Sequence, residues 1–169
     1  LILLLCLEVN PWLALVGGLA YGFSSYFLII IEAGHNSKAN ALGYLPALVG
    51  GVILLYRGKI GLGLALTTLF TALELNANHV QISYYGYILI GFIVLGYFIE
   101  AFKNKTFASF SKATGLLILA TIIGVLPNAG SLSMTNEYGK YSTRGQTELT
   151  IKSSIKKNQS LDDEAASNK

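Results

Sequence analysis

Five apolar runs, interrupted by short polar islands, organise the first 127 residues: Trp12–Ile31, Ala41–Tyr56, Ile60–Leu75, Ile82–Phe102 and Ala113–Pro127. The first carries no charged side chain over twenty residues, the length a helix needs to cross a bilayer core. Leu1–Leu7 is a shorter apolar stub that reads as the end of a helix beginning before Leu1, and the chain stops at Lys169 within polar sequence. The pattern predicts an all-α polytopic transmembrane bundle, about five full spans plus a truncated one, over residues 1–127. Residues 128–169 read as the start of a polar extracytoplasmic tail or domain, and the alternation of Leu149, Ile151 and Ile155 with polar residues suggests a strand there.

Three of the runs, those starting at Ala41, Ile60 and Ala113, reach only roughly 24 Å at 1.5 Å per residue. That falls short of a ~30 Å hydrocarbon core. Either the bilayer thins there or neighbouring polar residues are drawn towards its boundary. Gly18 with Gly22, and Gly43, Ala47 and Gly51, repeat at the spacing that lets helices approach closely in lipid. Thr106–Lys112 reads as a short interfacial helix.

Composition agrees: 53% of residues are apolar and 12% charged, far below the charge of an average soluble domain. The net charge of +3 is small and its basic residues are dispersed, which argues against nucleic acid as a partner. One cysteine, Cys6, excludes an intramolecular disulfide. Charge also orients the helices. Arg57 and Lys59 flank one turn and Lys103, Lys105 and Lys112 occupy another, whereas the alternate islands between runs contain only Lys38. Basic loops stay in the cytoplasm. Glu32–Asn40, Asn76–Gln81 and the tail are therefore expected outside a cytoplasmic membrane, with membrane lipid as the surrounding partner.

Two outer islands concentrate chemistry. The first, Glu32-Ala-Gly-His35-Asn36-Ser-Lys38, offers a carboxylate, an imidazole, an amide and an ammonium. Lys38 suits phosphate, Gly34 lets backbone approach a ligand, and Glu32 with His35 suits a divalent cation or a proton transfer. No clear metal-ligand set accompanies them, and no cofactor is fixed by the sequence. The second, Glu74-Leu-Asn-Ala-Asn-His79-Val-Gln81, adds a further carboxylate, imidazole and amides. Both islands are expected to line one outer cavity. Arg144, in a segment rich in tyrosine and basic residues, is a candidate to fold over it and meet a phosphate. The substrate-binding set is thus Glu32, His35, Asn36, Lys38, His79, Gln81 and Arg144.

Gly17-Gly-Leu-Ala-Tyr-Gly-Phe-Ser-Ser-Tyr26, Ala33-Gly-His-Asn-Ser-Lys38 and Asn78-His-Val-Gln-Ile-Ser-Tyr-Tyr85 together resemble the bacterial YfhO-type membrane proteins, grouped with the GT-C superfamily of polytopic glycosyltransferases. The resemblance covers roughly residues 8 to 145. It implies transfer of a sugar from a polyprenyl-phosphate donor to an acceptor outside the bacterial cytoplasmic membrane. It also implies that the catalytic carboxylate precedes this chain, that Glu32–Lys38 occupies the second outer loop, and that the Asp usual there is missing. A transporter or flippase of lipid-linked or polar substrates is the alternative. Such proteins show interrupted helices or paired repeats, and the sequence shows neither clearly.

Overall fold

In the computed structural model residues 1–141 are described, and all regular structure among them is helical. The helices are α1 (Ile2–Cys6), α2 (Pro11–Gly22), α3 (Ser25–Glu32), α4 (Asn36–Tyr56), α5 (Ile60–Asn76), α6 (Val80–Asn104), α7 (Phe107–Val125) and α8 (Ala129–Tyr141). A 3₁₀ turn, Leu126–Asn128, separates the last two. The chain divides into two units, Leu1–Gly130 and Ser131–Lys169.

Four helical stretches are long and apolar enough to cross a membrane: Pro11–Glu32, Asn36–Tyr56, Val80–Asn104 and Phe107–Thr135. α5, at 17 residues, is shorter. Large apolar side chains such as Trp12, Val16, Leu28, Ile29, Phe92 and Ile122 point outward rather than into a core. With no polar surface to cover them, lipid is the solvent that fits. These features define an all-helical membrane protein.

α4 is the hub. It is buried from Ala47 to Leu55, and Leu48, Val49, Val52 and Ile53 form the apolar core with Ile90 of α6. α1, α5, α6 and α7 pack around it. The closest approach is to α5, where a Cβ on Gly51 would lie 2.7 Å from the Thr67 nitrogen and one on Gly63 would lie 2.8 Å from the Leu55 nitrogen. These two contacts fix an antiparallel register. On the other flank Gly86 of α6 meets Leu45, and the Tyr97 ring stacks on Tyr56 at 4.6 Å. The offset is the same at both points, so α6 runs parallel to α4 and His79 stands level with Lys38.

Several helices end in the left-handed turn that returns an amide to the last carbonyls. Glycine supplies it at Gly34 and Gly58 (φ 75° and 79°), whereas Glu8 and Lys105 adopt it despite a side chain (φ 63° and 55°). Gly34 thereby closes the end of α3, with its own N–H on the Ile31 carbonyl at 2.9 Å.

The structure corrects three sequence expectations. Trp12–Ile31 is two helices, because the chain leaves helical geometry at Phe23–Ser24, where Ser24 takes an extended ψ of 145° beside Gly22 and a second serine. Asn36–Asn40 is the first turn of α4 rather than loop, which lengthens the short Ala41 run to 21 residues. Thr106–Lys112 is not a separate interfacial helix, since Phe107 opens α7 and the helix continues unbroken to Val125. Apart from these, the first residues of the expected polar tail are helical as far as Tyr141, and the expected strand around Leu149–Ile155 lies outside the described residues.

Pro46 sits inside α4 and cannot donate to the Leu42 carbonyl, which would be left without a partner in lipid. The Tyr21 hydroxyl of α2 donates to that carbonyl at 3.0 Å. Tyr21→Phe is therefore expected to lower stability by about 0.5–1.5 kcal/mol. In a Pro46→Ala background, where an amide returns to Leu42, the same substitution should cost less. Unfolding midpoints of the four proteins in one detergent decide it, and an equal cost in both backgrounds would refute the pairing.

Candidate functional site

The two ends of the helical unit Leu1–Gly130 differ in character. At one end the α1–α2, α4–α5 and α6–α7 connections meet. Lys59 Nζ donates to Glu8 Oε1 at 2.8 Å, and Arg57 donates to the Cys6 carbonyl at 3.1 Å, satisfying an acceptor that α1 leaves open. Tyr56 joins the third connection. Its ring lies 5.7 Å from Phe110, and its hydroxyl is 2.9 Å from Thr114 Oγ1. Thr114 already donates its hydrogen to the Phe110 carbonyl at 2.9 Å, so Tyr56 is the donor in that pair.

Two open cavities lie at this basic end. One of about 420 Å³ is lined by Tyr56, Arg57, Tyr97, Glu100, Thr106 and Ser109. The other, about 270 Å³, is bounded by Gly58, Ile60, Ser109, Lys112 and Leu116. Glu100, three residues before Lys103 at the end of α6, faces the first cavity together with Arg57.

The opposite end holds the sequence-derived candidates. Glu32, His35 and Asn36 are exposed at the α3–α4 turn. Lys38, half-buried on the first turn of α4, lies 5.3 Å from the centre of the Tyr26 ring on α3, a cation–π contact. His79 is half-buried and accepts the Ile82 amide at its Nδ1, 3.4 Å away, so it caps α6. That leaves Nε2 as its free ring position. Gln81 is exposed on the first turn of α6. Because α4 and α5 are antiparallel and α4 and α6 parallel, the two islands share this end. Among the described residues no group of three His, Cys, Asp or Glu is placed to hold a metal ion. Arg144 lies outside the described residues.

The feature missed by sequence reasoning is the inner face of α5. Thr67, Thr71 and Glu74 follow one another at intervals of four and three residues, which is one helical face. All three are buried, Glu74 with no exposed surface. Ser83 of α6 donates to Glu74 Oε1 at 3.2 Å. Gly124 of α7 closes the far side, where an added Cβ would stand 2.7 Å from Thr71 Cβ. Asn128 then donates its amide to the Ala72 carbonyl at 2.9 Å, tying the end of α7 to α5. The signal was present: three polar residues at helical spacing in an otherwise apolar run.

No family model, curated protein or solved structure matches this chain.

The Glu8–Lys59 pair gives the basic end a measurable signature. The Lys59 ammonium, hydrogen-bonded to the carboxylate, holds the Glu8 carboxyl below its ordinary range. A group whose pKa falls on folding contributes stability above its unfolded value and loses it as pH drops through the folded value. Lys59→Met should therefore raise the Glu8 titration midpoint, followed by carboxyl-carbon NMR. An unmoved midpoint would show that the pair does not persist in solution.

Proposed function

We propose that this chain forms part of a multi-pass protein of a bacterial cytoplasmic membrane whose polar end engages the head group of a polyprenyl-phosphate-linked sugar, in the manner of a GT-C-type glycosyltransferase. The carrying observation is the placement of the Gly34-His35 and Asn78-His79 islands at one end of the bundle, with Lys38 and His79 at the same level. Lys38 is held over an aromatic ring at the membrane boundary, where an ammonium seeks an anion and phosphate is the abundant one. His79 offers Nε2 at the same height. On this reading these residues bind donor or acceptor rather than supply the base.

A second reading, a transporter or flippase of lipid-linked substrates, is favoured by the interruption between α2 and α3. Non-helical backbone at membrane depth is tolerated where it meets protein or a water-filled path, and broken helices commonly mark such paths. Appearance of a labelled lipid-linked sugar in the opposite leaflet of vesicles, with its glycosidic bond intact, would select this reading.

Orientation follows from charge, since Arg57, Lys59, Lys103, Lys105 and Lys112 lie in or beside the two connections of one end. With Cys6 replaced by alanine, a cysteine at Ser37 should react with an impermeant thiol reagent in intact cells. One at Asn104 should react only after permeabilisation. The reverse pattern would invert the bundle.

Lys38 carries the substrate test. In the reconstituted protein, Lys38→Met should weaken binding of a polyprenyl-phosphate sugar about tenfold, ~1.4 kcal/mol. Lys38→Arg should retain part of the affinity because charge is kept while geometry changes. Equal affinity in all three proteins would remove Lys38 from the site.

A further inference from the structure

Threonine in a helix ordinarily turns its hydroxyl back to the carbonyl four residues earlier. Thr114 and Thr121 of α7 do so, donating to Phe110 and Leu117 at 2.9 and 2.8 Å. Thr67 and Thr71 of α5 do not. Their hydroxyls are buried, and among the described residues neither has a hydrogen-bond partner. Glu74 Oε2, on the same face one turn further on, is in the same condition. Three oxygens without partners on one buried helix face are a rare arrangement, because each costs roughly 1–3 kcal/mol of desolvation.

Charge sharpens the problem. Glu74 has no cationic side chain as hydrogen-bonded partner among the described residues, whose one ion pair joins Lys59 to Glu8. An isolated carboxylate inside a bundle is unstable unless a proton or a cation accompanies it. The groups around it are oxygen donors or neutral. α6 presents Ser83 and, a turn later, Tyr87; on α4, the register set by Gly51 with Thr67 and Leu55 with Gly63 brings Tyr44 level with Glu74. His79, at the head of α6, commits Nδ1 to capping. Asn128 commits its amide to Ala72, and α7 brings only Gly124 against Thr71.

We propose that Glu74, Thr71 and Ser83 form a site for a small monovalent cation, a proton or a sodium ion, inside the helix bundle. One formal negative charge is neutralised by one positive charge, whereas a divalent ion would leave an excess charge in a low-dielectric interior. The donors are a carboxylate and hydroxyls, hard oxygens suited to sodium and able to relay a proton. Close packing of Gly124 against Thr71 disfavours a hydrated ion. Glu74 stands two residues from the end of α5, and Thr67 lies roughly 10 Å deeper at 1.5 Å per residue. The site thus lies nearest the end that holds Lys38 and His79, but it does not rest on any reading of their substrate.

Infrared difference spectra of the protein in lipid nanodiscs test it, comparing wild type with Glu74→Gln across about pH 5 to 9. A protonated-carboxyl carbonyl band is expected at low pH, lost at high pH and absent from the Gln variant. Should that variant fail to fold, Glu74→Asp serves instead, moving the band rather than deleting it. If sodium is the ion, sodium chloride but not choline chloride shifts the loss of the band to lower pH. If the proton alone binds, the two salts act alike. A Glu74 band that persists over the whole range, or one absent over the whole range without sodium, overturns the proposal. Thr71→Val should shift the midpoint or reduce the sodium effect severalfold, and an unchanged response in that variant removes Thr71 and refutes the site as drawn.

Discussion

Backbone contact between α4 and α5 at Gly51 and Gly63 is the constraint on which the remaining packing depends. In lipid the hydrophobic effect does not draw helices together, so affinity has to come from close van der Waals approach and interhelical hydrogen bonds. Two glycines on opposite helices permit that approach at two heights, and two points define a register. With α4 locked beside α5, its other flanks receive α1, α6 and α7, and its apolar side chains meet protein instead of lipid. The same register turns Thr67, Thr71 and Glu74 inward. A side chain at either glycine would force the helices apart and unseat the polar face along with the apolar one.

How much of this was legible depended on what each signal measures. Hydropathy located the apolar helices because lipid contact and burial both demand apolar residues. It could not distinguish them, so α4, enclosed by neighbours, looks like the lipid-facing helices. Basic residues grouped the two turns at one end, and the ion pair and aromatic contacts there show the physical join. The break at Phe23–Ser24 was hidden inside an unbroken apolar run, although Gly22 and the Ser24-Ser25 pair mark the kind of place where helices fail. The island Asn36–Asn40 read as loop because polar composition was weighed above its helix-compatible spacing. Glu74 was noticed as one polar residue of an outer island and lost its significance there, since that island cut it off from Thr71 on the same helix face, and Ser83, its hydrogen-bond partner, comes from the next run.

The two ends of the unit answer to different physics. At the basic end, connections are fastened to one another by an ion pair, a capped carbonyl and a stacked tyrosine pair, and the exposed charge stays in water. At the other end, Glu32, His35, Asn36 and Gln81 are exposed and Lys38 and His79 half-buried, each with ring or backbone contacts that fix position without consuming all its binding capacity. Groups held but incompletely satisfied are what recognition of a polar head group requires. The reading proposed here places binding at that end for this reason.

The bond from Tyr21 to the Leu42 carbonyl has a consequence for biosynthesis. A membrane protein emerges from its amino-terminal side, so α2 with its hydroxyl enters the bilayer before α4 brings in the acceptor that Pro46 leaves open. The defect in α4 thus arrives after its remedy. Reversing the order of these two segments would oblige α4 to enter lipid with a bare carbonyl, at the moment when no other helix is available to receive it.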